Sequence, residues 1–408
     1  MTGALSHIQV LDLSRVLAGP WASQTLADLG ANVIKVERPG RGDDTRSWGP
    51  PYLKDGAGHD TSEAAYYLST NRNKQSITID FTRPEGQQLV RDLAAQSDIV
   101  LENFKVGSLA RYGLDYATLK QVNPRLIYCS ITGFGQTGPY AKRAGYDFLI
   151  QAMGGLMSLT GHPDGADGAG PMKVGVALTD IMTGLYAAIS VLAALAHRER
   201  TGEGQYIDLA LLDVQIACLA NQTLNYLTTG ESPRRLGNAH PNIVPYQAFP
   251  TADGDMIIAV GNDSQFANLC TVDEHPEWAS DARFATNAAR VAHRDTLIPL
   301  LRQATVMRTT DTWVQALEAA GVPCGPINDM AAVFANEQVR ARAMQQQMPH
   351  ALAGQVPQVA SPIRMSETPV SYRQPPPLLG EHTHAVLSDL LGLSEQQIAE
   401  LARQGVTE

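Results

Sequence analysis

Four cysteines are all that the 408 residues contain, and Cys129, Cys218, Cys270 and Cys324 lie far apart, with no C-x-x-C pair and no histidine at zinc-ligand spacing. That scarcity excludes a disulfide framework and a structural metal site and points to a reducing compartment. Blocks of basic residues are missing too. The net charge is −10 and the cations are scattered, so neither nucleic acid nor a membrane surface is expected as a partner, and any anion must be bound locally. No apolar run reaches the roughly 20 residues that cross a bilayer; the longest, Ile181 to Ala196, is interrupted by Thr183, Gly184 and Ser190. The opening MTGALSHIQVLDLS lacks both the basic start and the apolar stretch of a secretory signal, which makes the cytoplasm the expected location. Serine-hydrolase elbows, P-loops and H-E-x-x-H helices are absent.

What is present alternates. From Ile8 the pattern runs strand (IQVLDLS), helix (GPWASQTLADLGA), strand (NVIKVE), strand (SITIDF), helix (RPEGQQLVRDLAAQS), strand (DIVLENF), helix (GSLARYGLDYATLKQV) and strand (RLIYCSITGFG). Val- and Ile-rich strands bounded by Gly, Asn and Asp are those of a sheet buried on both faces. The predicted fold class is therefore α/β: a large doubly wound, Rossmann-like domain with a smaller α+β domain. The chain exceeds the size at which one core stops growing. We assign residues 1–200 to the first part of the large domain, 201–224 to a linker, 225–325 to the small domain and 326–408 to a return segment. The Gly- and Asp-rich stretch from Gly154 to Gly170 reads as a loop, and 201–230 as a turn, a strand and one long helix.

Several side chains carry candidate chemistry. The first strand-to-helix turn, SRVLAGPWASQ, puts Arg15 at the carboxyl end of a strand, where open α/β sheets bind ligands, although it lacks the glycine spacing of a dinucleotide fingerprint. Arg38 ends the second strand and suits a phosphorylated sugar, because guanidinium presents a planar fork to phosphate oxygens. Arg72, Lys74, Lys105, Arg111, Lys142 and Arg143 sit beside other strand ends and either converge on one crevice or remain solvated singly. Asn103 and Phe104 offer an amide and an aromatic face to a base such as adenine. Asp180 stands at the head of the apolar run VGVALTDIMTGLYAAISVLAALAH. It is either a helix N-cap or, since a helix start favours the ionised form, a nucleophile. Asp12, Asp80 and Asp208 read as structural acids.

VLDLSRVLAGPWASQTLADLGANVIKVERPGRGDDTR, STNRNKQSITIDF, ENFKVGSLARYGL, ITGFGQTGPYAKRAGYD, KVGVALTDIMTGLYAA and PPPLLGEHT together resemble the class III CoA-transferases, the formyl-CoA and carnitine CoA-transferase family. AHPNIVPYQAFPTADG with GPINDMAAVFA is most similar to the family's dicarboxylate branch, of the succinate–hydroxymethylglutarate type. The resemblance implies that Asp180 is the nucleophile of a ping-pong cycle through an aspartyl anhydride and an aspartyl-CoA thioester. It also implies that coenzyme A is a co-substrate rather than a resident cofactor, that the partners are an acyl-CoA and a free carboxylic acid, and that two chains interlock as a homodimer. Carried over residue by residue, Arg38, Arg72, Lys74, Asn103, Phe104 and Arg111 match positions near the nucleotide, and Val16 to Ala18 match the loop beside the thioester. The family's mobile glycine-rich loop falls on AVGNDSQ, where only Gly261, followed by Asn262, remains. A distal carboxylate on the acceptor needs a cation, for which Arg15, Arg46, Arg72 and Arg234 stand open. The α-methylacyl-CoA racemases share these motifs but use a histidine where this chain has Tyr146, a poor base at neutral pH. A non-catalytic CoA-binding protein is the third reading.

Overall fold

The computed structural model describes residues 3–408. It divides into two compact units. One comprises the chain up to Leu156 together with Val174–Thr228 and Arg340–Glu408, the other Met157–Lys173 with Thr229–Val339.

The first unit is built on a parallel sheet of six strands. In chain order these are β1 (Gln9–Asp12) and β2 (Asn32–Glu37), then, after a small hairpin of β3 (Tyr52–Lys54) and β4 (Asp60–Ala64), β5 (Lys74–Thr78), β6 (Ile99–Glu102), β7 (Ile127–Thr132) and β8 (Tyr206–Ala210). They lie in the order β5-β2-β1-β6-β7-β8, so the winding reverses between β1 and β6. Alternation along each strand supplies two cores. Val10, Val33, Ile99 and Leu101 face the helices Ala18–Asp28 and Leu178–Thr201, while Leu11, Ile34 and Val100 face Pro84–Ala95, Tyr116–Val122 and the C-terminal helices Thr383–Asp389 and Glu395–Arg403. This is the expected doubly wound architecture; of the expected return segment 326–408, Arg340–Glu408 lies in this unit and its last two helices cover one face of the sheet.

Two glycines set the packing around β1. A Cβ on Gly19 would lie 2.1 Å from the Ser14 hydroxyl, and one on Gly184 would lie 2.6 Å from the Ala18 carbonyl oxygen. Helices Ala18–Asp28 and Leu178–Thr201 therefore approach each other backbone to side chain at Gly184. Asp180, one turn earlier on the same helix face, is drawn to the start of the first helix. By length and composition Leu178–Thr201 could span a bilayer; in the fold Ala187, Ala188, Val191 and Ala194 are core residues against the sheet.

The sequence reading differs from the structure in several places. Residues 201–224, expected as a linker, contain β8, an edge strand of the main sheet. The long helix expected after it is two, Leu211–Cys218 and Asn221–Thr229, broken where Ala220 takes φ 47°. The stretch from Gly154 to Gly170, read as a loop within the large domain, falls mostly in Met157–Lys173, which is part of the second unit. A G-x-G-x-x-G spacing does occur, at Gly133, Gly135 and Gly138 after β7, but turns rather than a helix follow it.

In the second unit β9 (Tyr246–Pro250), β10 (Asp255–Ala259) and β11 (Cys324–Pro326) form an antiparallel sheet in the order β11-β10-β9. Phe249, Met256, Ile258, Phe266 and Trp313 form its core. A last hairpin, β12 (Gln345–His350) with β13 (Gly354–Val359), belongs to the first unit.

Candidate active site

Open parallel sheets bind ligands where the strand order reverses, beyond the carboxyl ends. Here that crevice lies between the loops after β1 and β6, and it holds two adjoining cavities. One, of about 310 Å³, is walled by Arg15, Val16, Leu17 and Ala18 after β1, by Asn103 and Phe104 after β6, by Thr132 and Gly133 at the end of β7, and by Arg143, Tyr146 and Asp180. The other, of about 320 Å³, is walled by Arg38, Asp80, Phe81, Arg111 and Tyr112. Arg15, Phe104 and Ser108 line both, which makes them one extended cleft.

Asp180 is not the N-cap that its sequence context suggests. The helix begins at Leu178, Ala177 holds the cap position without a side-chain bond, and Asp180 is the third residue of the first turn. The capping acceptor comes from elsewhere in the chain. Asp147 Oδ1 accepts the N–H groups of Thr179 at 2.8 Å and Asp180 at 3.3 Å, while its Oδ2 accepts Gln151 Nε2 at 2.6 Å. The expected electrostatics are overturned as well. Burial first, and the Asp147 carboxylate second, push the Asp180 carboxyl up to about 7, against the helix dipole that would lower it. Tyr66 faces the same charges: burial, then Asp180 and Asp147, raise its hydroxyl to about 12.

In the second cavity the aromatic floor is continuous. Phe81 meets Phe104 and Tyr112 edge to face at 5.7 Å each, Arg111 lies over Tyr112 and Arg15 over Phe104. Arg38 and Arg111 supply the cations. Such a set of planar faces and guanidinium forks fits a base and its phosphates.

Other candidates are placed differently. Arg72 and Lys74 are buried away from the cleft: Arg72 pairs with Asp28 at 2.9 Å, and Lys74, wholly enclosed, bonds the Pro20 carbonyl and Asn71 and pairs with Asp12. Burial, partly offset by Asp12, lowers the Lys74 ammonium to about 7. These cations neutralise structural acids. Asp12 is one of them; burial raises it, but Lys74, Lys35 and the Ser14 and Ser23 hydroxyls together hold it below its ordinary value. Arg46 is committed to Glu37, bonded twice at 2.8 Å, and stacks on Tyr67. Arg234, Gly261 and Asn262 belong to the second unit, where Asn262 caps the helix Asp263–Val272. Among the four cations considered for a distal carboxylate, Arg15 is the one on the cleft, half-exposed and paired with Asp44 at 2.9 Å. Asn103 is in the cleft wall, yet both ends of its amide are engaged by the Arg15 backbone.

Sequence reasoning missed Asp147, Tyr66, Lys35 and Asp43. The last two left a signal, since a lone lysine inside the apolar strand NVIKVE implies a buried counter-charge. GRGDDTR supplies it, with Lys35 2.8 Å from Asp43 and both side chains fully enclosed. The four cysteines are free thiols.

The chain is 54% identical over 386 residues, 95% of each chain, to a succinate–glutarate CoA-transferase of Agrobacterium fabrum. It is 44% identical over 404 residues, 99% of this chain and 90% of the relative, to a human succinyl-CoA:glutarate CoA-transferase. A crystal structure of a CaiB/BaiF family protein from Brucella suis superposes with a TM-score of 0.83 at 52% identity, covering 96% of this chain and all of the other. The family model for CoA-transferase family III matches residues 5–383, so the enzyme uses CoA thioesters as co-substrates, and the chain belongs to CoA-transferase family III.

Proposed function

We propose that the enzyme moves CoA between succinyl-CoA and a second dicarboxylic acid, with glutarate the first to test, and that Asp180 is the covalent nucleophile. The observation that carries the reading is the cleft itself. A carboxylate stands in one cavity, and a cationic, aromatic cavity adjoins it. An extended thioester of CoA fits with its nucleotide against Arg38, Arg111 and Phe81 and its acyl carbon beside Asp180. The names of the two relatives supply the choice of acids.

In this mechanism an Asp180 carboxylate oxygen attacks the thioester carbonyl of succinyl-CoA. The C–S bond breaks, CoA leaves as the thiolate, and a succinyl-aspartyl anhydride remains. The thiolate attacks the aspartyl carbonyl, succinate departs, and Asp180 carries CoA as a thioester. The acceptor carboxylate attacks that thioester and expels CoA thiolate, which then attacks the acceptor's own carbonyl; acyl-CoA forms and Asp180 is restored. No water is consumed, and splitting the exchange into activated covalent steps is what nucleophilic catalysis provides. Arg15, already on the cavity wall, pairs with the distal carboxylate, a task for which a guanidinium is suited. Val16, Ala18 and Tyr146 wall the space around the acyl group, and Asn103 holds the loop after β1 that carries Val16.

The experiment is a trap. Incubation with succinyl-CoA and hydroxylamine leaves a hydroxamate on the peptide containing Asp180, seen by mass spectrometry, and a matrix of acyl-CoA donors and free acids shows label exchange with succinate and glutarate. No adduct and no CoA transfer would refute the reading. Deuterium exchange into a 2-methylacyl-CoA without transfer would move the assignment to the racemases.

We further propose a homodimer in the cytoplasm. Leu185, Tyr186, Ile189 and Leu192 are exposed along one side of Leu178–Thr201, an apolar stripe of the kind that partner chains cover. Light scattering that gives the mass of one chain would exclude the dimer.

A further inference from the structure

The loop that joins β1 to the first helix contains a residue in the wrong conformation for its type. Val16 has φ 71°. A β-branched side chain resists that region, which glycine enters freely, and the preference amounts to roughly ten- to a hundredfold in population. Val16 lines the cavity that contains Asp180.

Three consecutive residues around it are each tethered by a side chain from another part of the sheet. The Ser14 carbonyl accepts Lys35 Nζ at 2.9 Å. The Arg15 N–H donates to Asn103 Oδ1 at 2.9 Å, and its carbonyl accepts Asn103 Nδ2 at 2.7 Å. The Val16 N–H donates to both oxygens of Asp43, at 3.2 Å each. The ion pair between Lys35 and Asp43, at 2.8 Å and fully buried, joins the first tether to the last. A turn serving stability alone would carry glycine at such a φ and need no tethers. Here valine gives the cavity an apolar wall that glycine cannot, and the tethers offset its reluctance.

We propose that Lys35, Asp43 and Asn103 are positioning residues for CoA transfer: they clamp residues 14–16 in a left-handed kink at Val16 and so fix the wall of the cavity against Asp180. The proposal rests on that cavity being the acyl-transfer site. Loosening the clamp lets Val16 relax to negative φ and shifts the wall, whereas a glycine at position 16 holds the kink unaided.

A double-mutant cycle on the full-length enzyme tests this. Asn103→Ala lowers kcat about tenfold in the wild-type background and less than twofold in the Val16→Gly background, with KM for succinyl-CoA changed by less than about twofold in both. Asp43→Asn gives the same pattern. Equal losses in the two backgrounds, or a loss confined to KM, would overturn the clamp. Melting temperatures accompany each variant, and should Asp43→Asn fail to fold, the partly exposed Asn103 decides alone. Wild-type turnover and the Asp180 hydroxamate are measured first; their absence sinks the reading of the cavity, while their presence with additive losses sinks only the clamp.

Discussion

Asp180→Asn is expected to give an enzyme that is inactive and more stable. Burial first, and Asp147 second, displace the carboxyl from 3.8 to about 7. Below about pH 4 the group is protonated whether the chain is folded or not, and contributes nothing. Between there and pH 7 the folded state keeps a proton that the unfolded state releases, so stability falls as pH rises. Above pH 7 the penalty is complete: about three units, or roughly 4 kcal/mol, trimmed by whatever solvent reaches the carboxyl. Asparagine keeps the shape and carries no charge, so the substitution removes that penalty. At pH 8 the gain is about 2 to 4 kcal/mol, a rise of roughly 3 to 5 °C in Tm for a chain of this length. At pH 5 it is about a third as large. Scanning calorimetry of both proteins at the two pH values checks the figure, and turnover with succinyl-CoA checks the loss of activity. No gain at pH 8, or an equal gain at both, would refute the electrostatic account of the site.

Three further outcomes follow from the same geometry. Asp147→Asn keeps an oxygen for the Thr179 and Asp180 amides but removes the like charge. The acidic limb of kcat/KM, expected near pH 7 because the nucleophile must be ionised, then moves down by about one unit, and a pH–rate profile that stays in place contradicts the coupling. Gly184→Ala drives a methyl into the Ala18 carbonyl oxygen, 2.6 Å away, costing about 1 to 3 kcal/mol in Tm measurements and lowering kcat by displacing the turn that carries Asp180. Arg38→Ala and Arg111→Ala each raise KM for CoA esters about tenfold while kcat stays within about threefold, the signature of a uniform binding contact; an unchanged KM would remove the nucleotide from the second cavity.

The sheet was legible because its information is local. NVIKVE forms the whole of β2, and runs of Val and Ile with period two feed two opposed cores, Val10 on one face and Leu11 on the other. What escaped depends on contacts distant in sequence. β8 reads as part of a linker because nothing in YIDLA says that it pairs with β7 across the 73 residues between Thr132 and Tyr206. The hairpin β12–β13 carries Pro349 and Pro357, which argue against strands unless those positions lie where no donor is needed. Arg72 and Lys74 illustrate the reverse error. Beside a strand end a cation resembles a phosphate ligand, and only the folded chain reveals that Asp28 and Asp12 have already claimed them.

Asp180 shows the same division within one residue. Its place in the first turn of an apolar helix is written locally, and so is the pull of the dipole toward the charged form. The upward shift of its carboxyl comes first from the protein packed around it and then from Asp147, 33 residues away in sequence. Dipole and burial act in opposite directions, and burial wins because a helix terminus contributes about 1 kcal/mol against several for enclosing a carboxylate. Burial, with Asp147 beside it, therefore holds the Asp180 carboxyl far above the ordinary carboxylate range, up to about 7. On the proposed reading of Asp180 as the nucleophile, a carboxylate raised in energy by its surroundings gains when its charge passes to the departing thiolate as the anhydride forms, so the burial that lowers the stability of the fold also prepares the nucleophile.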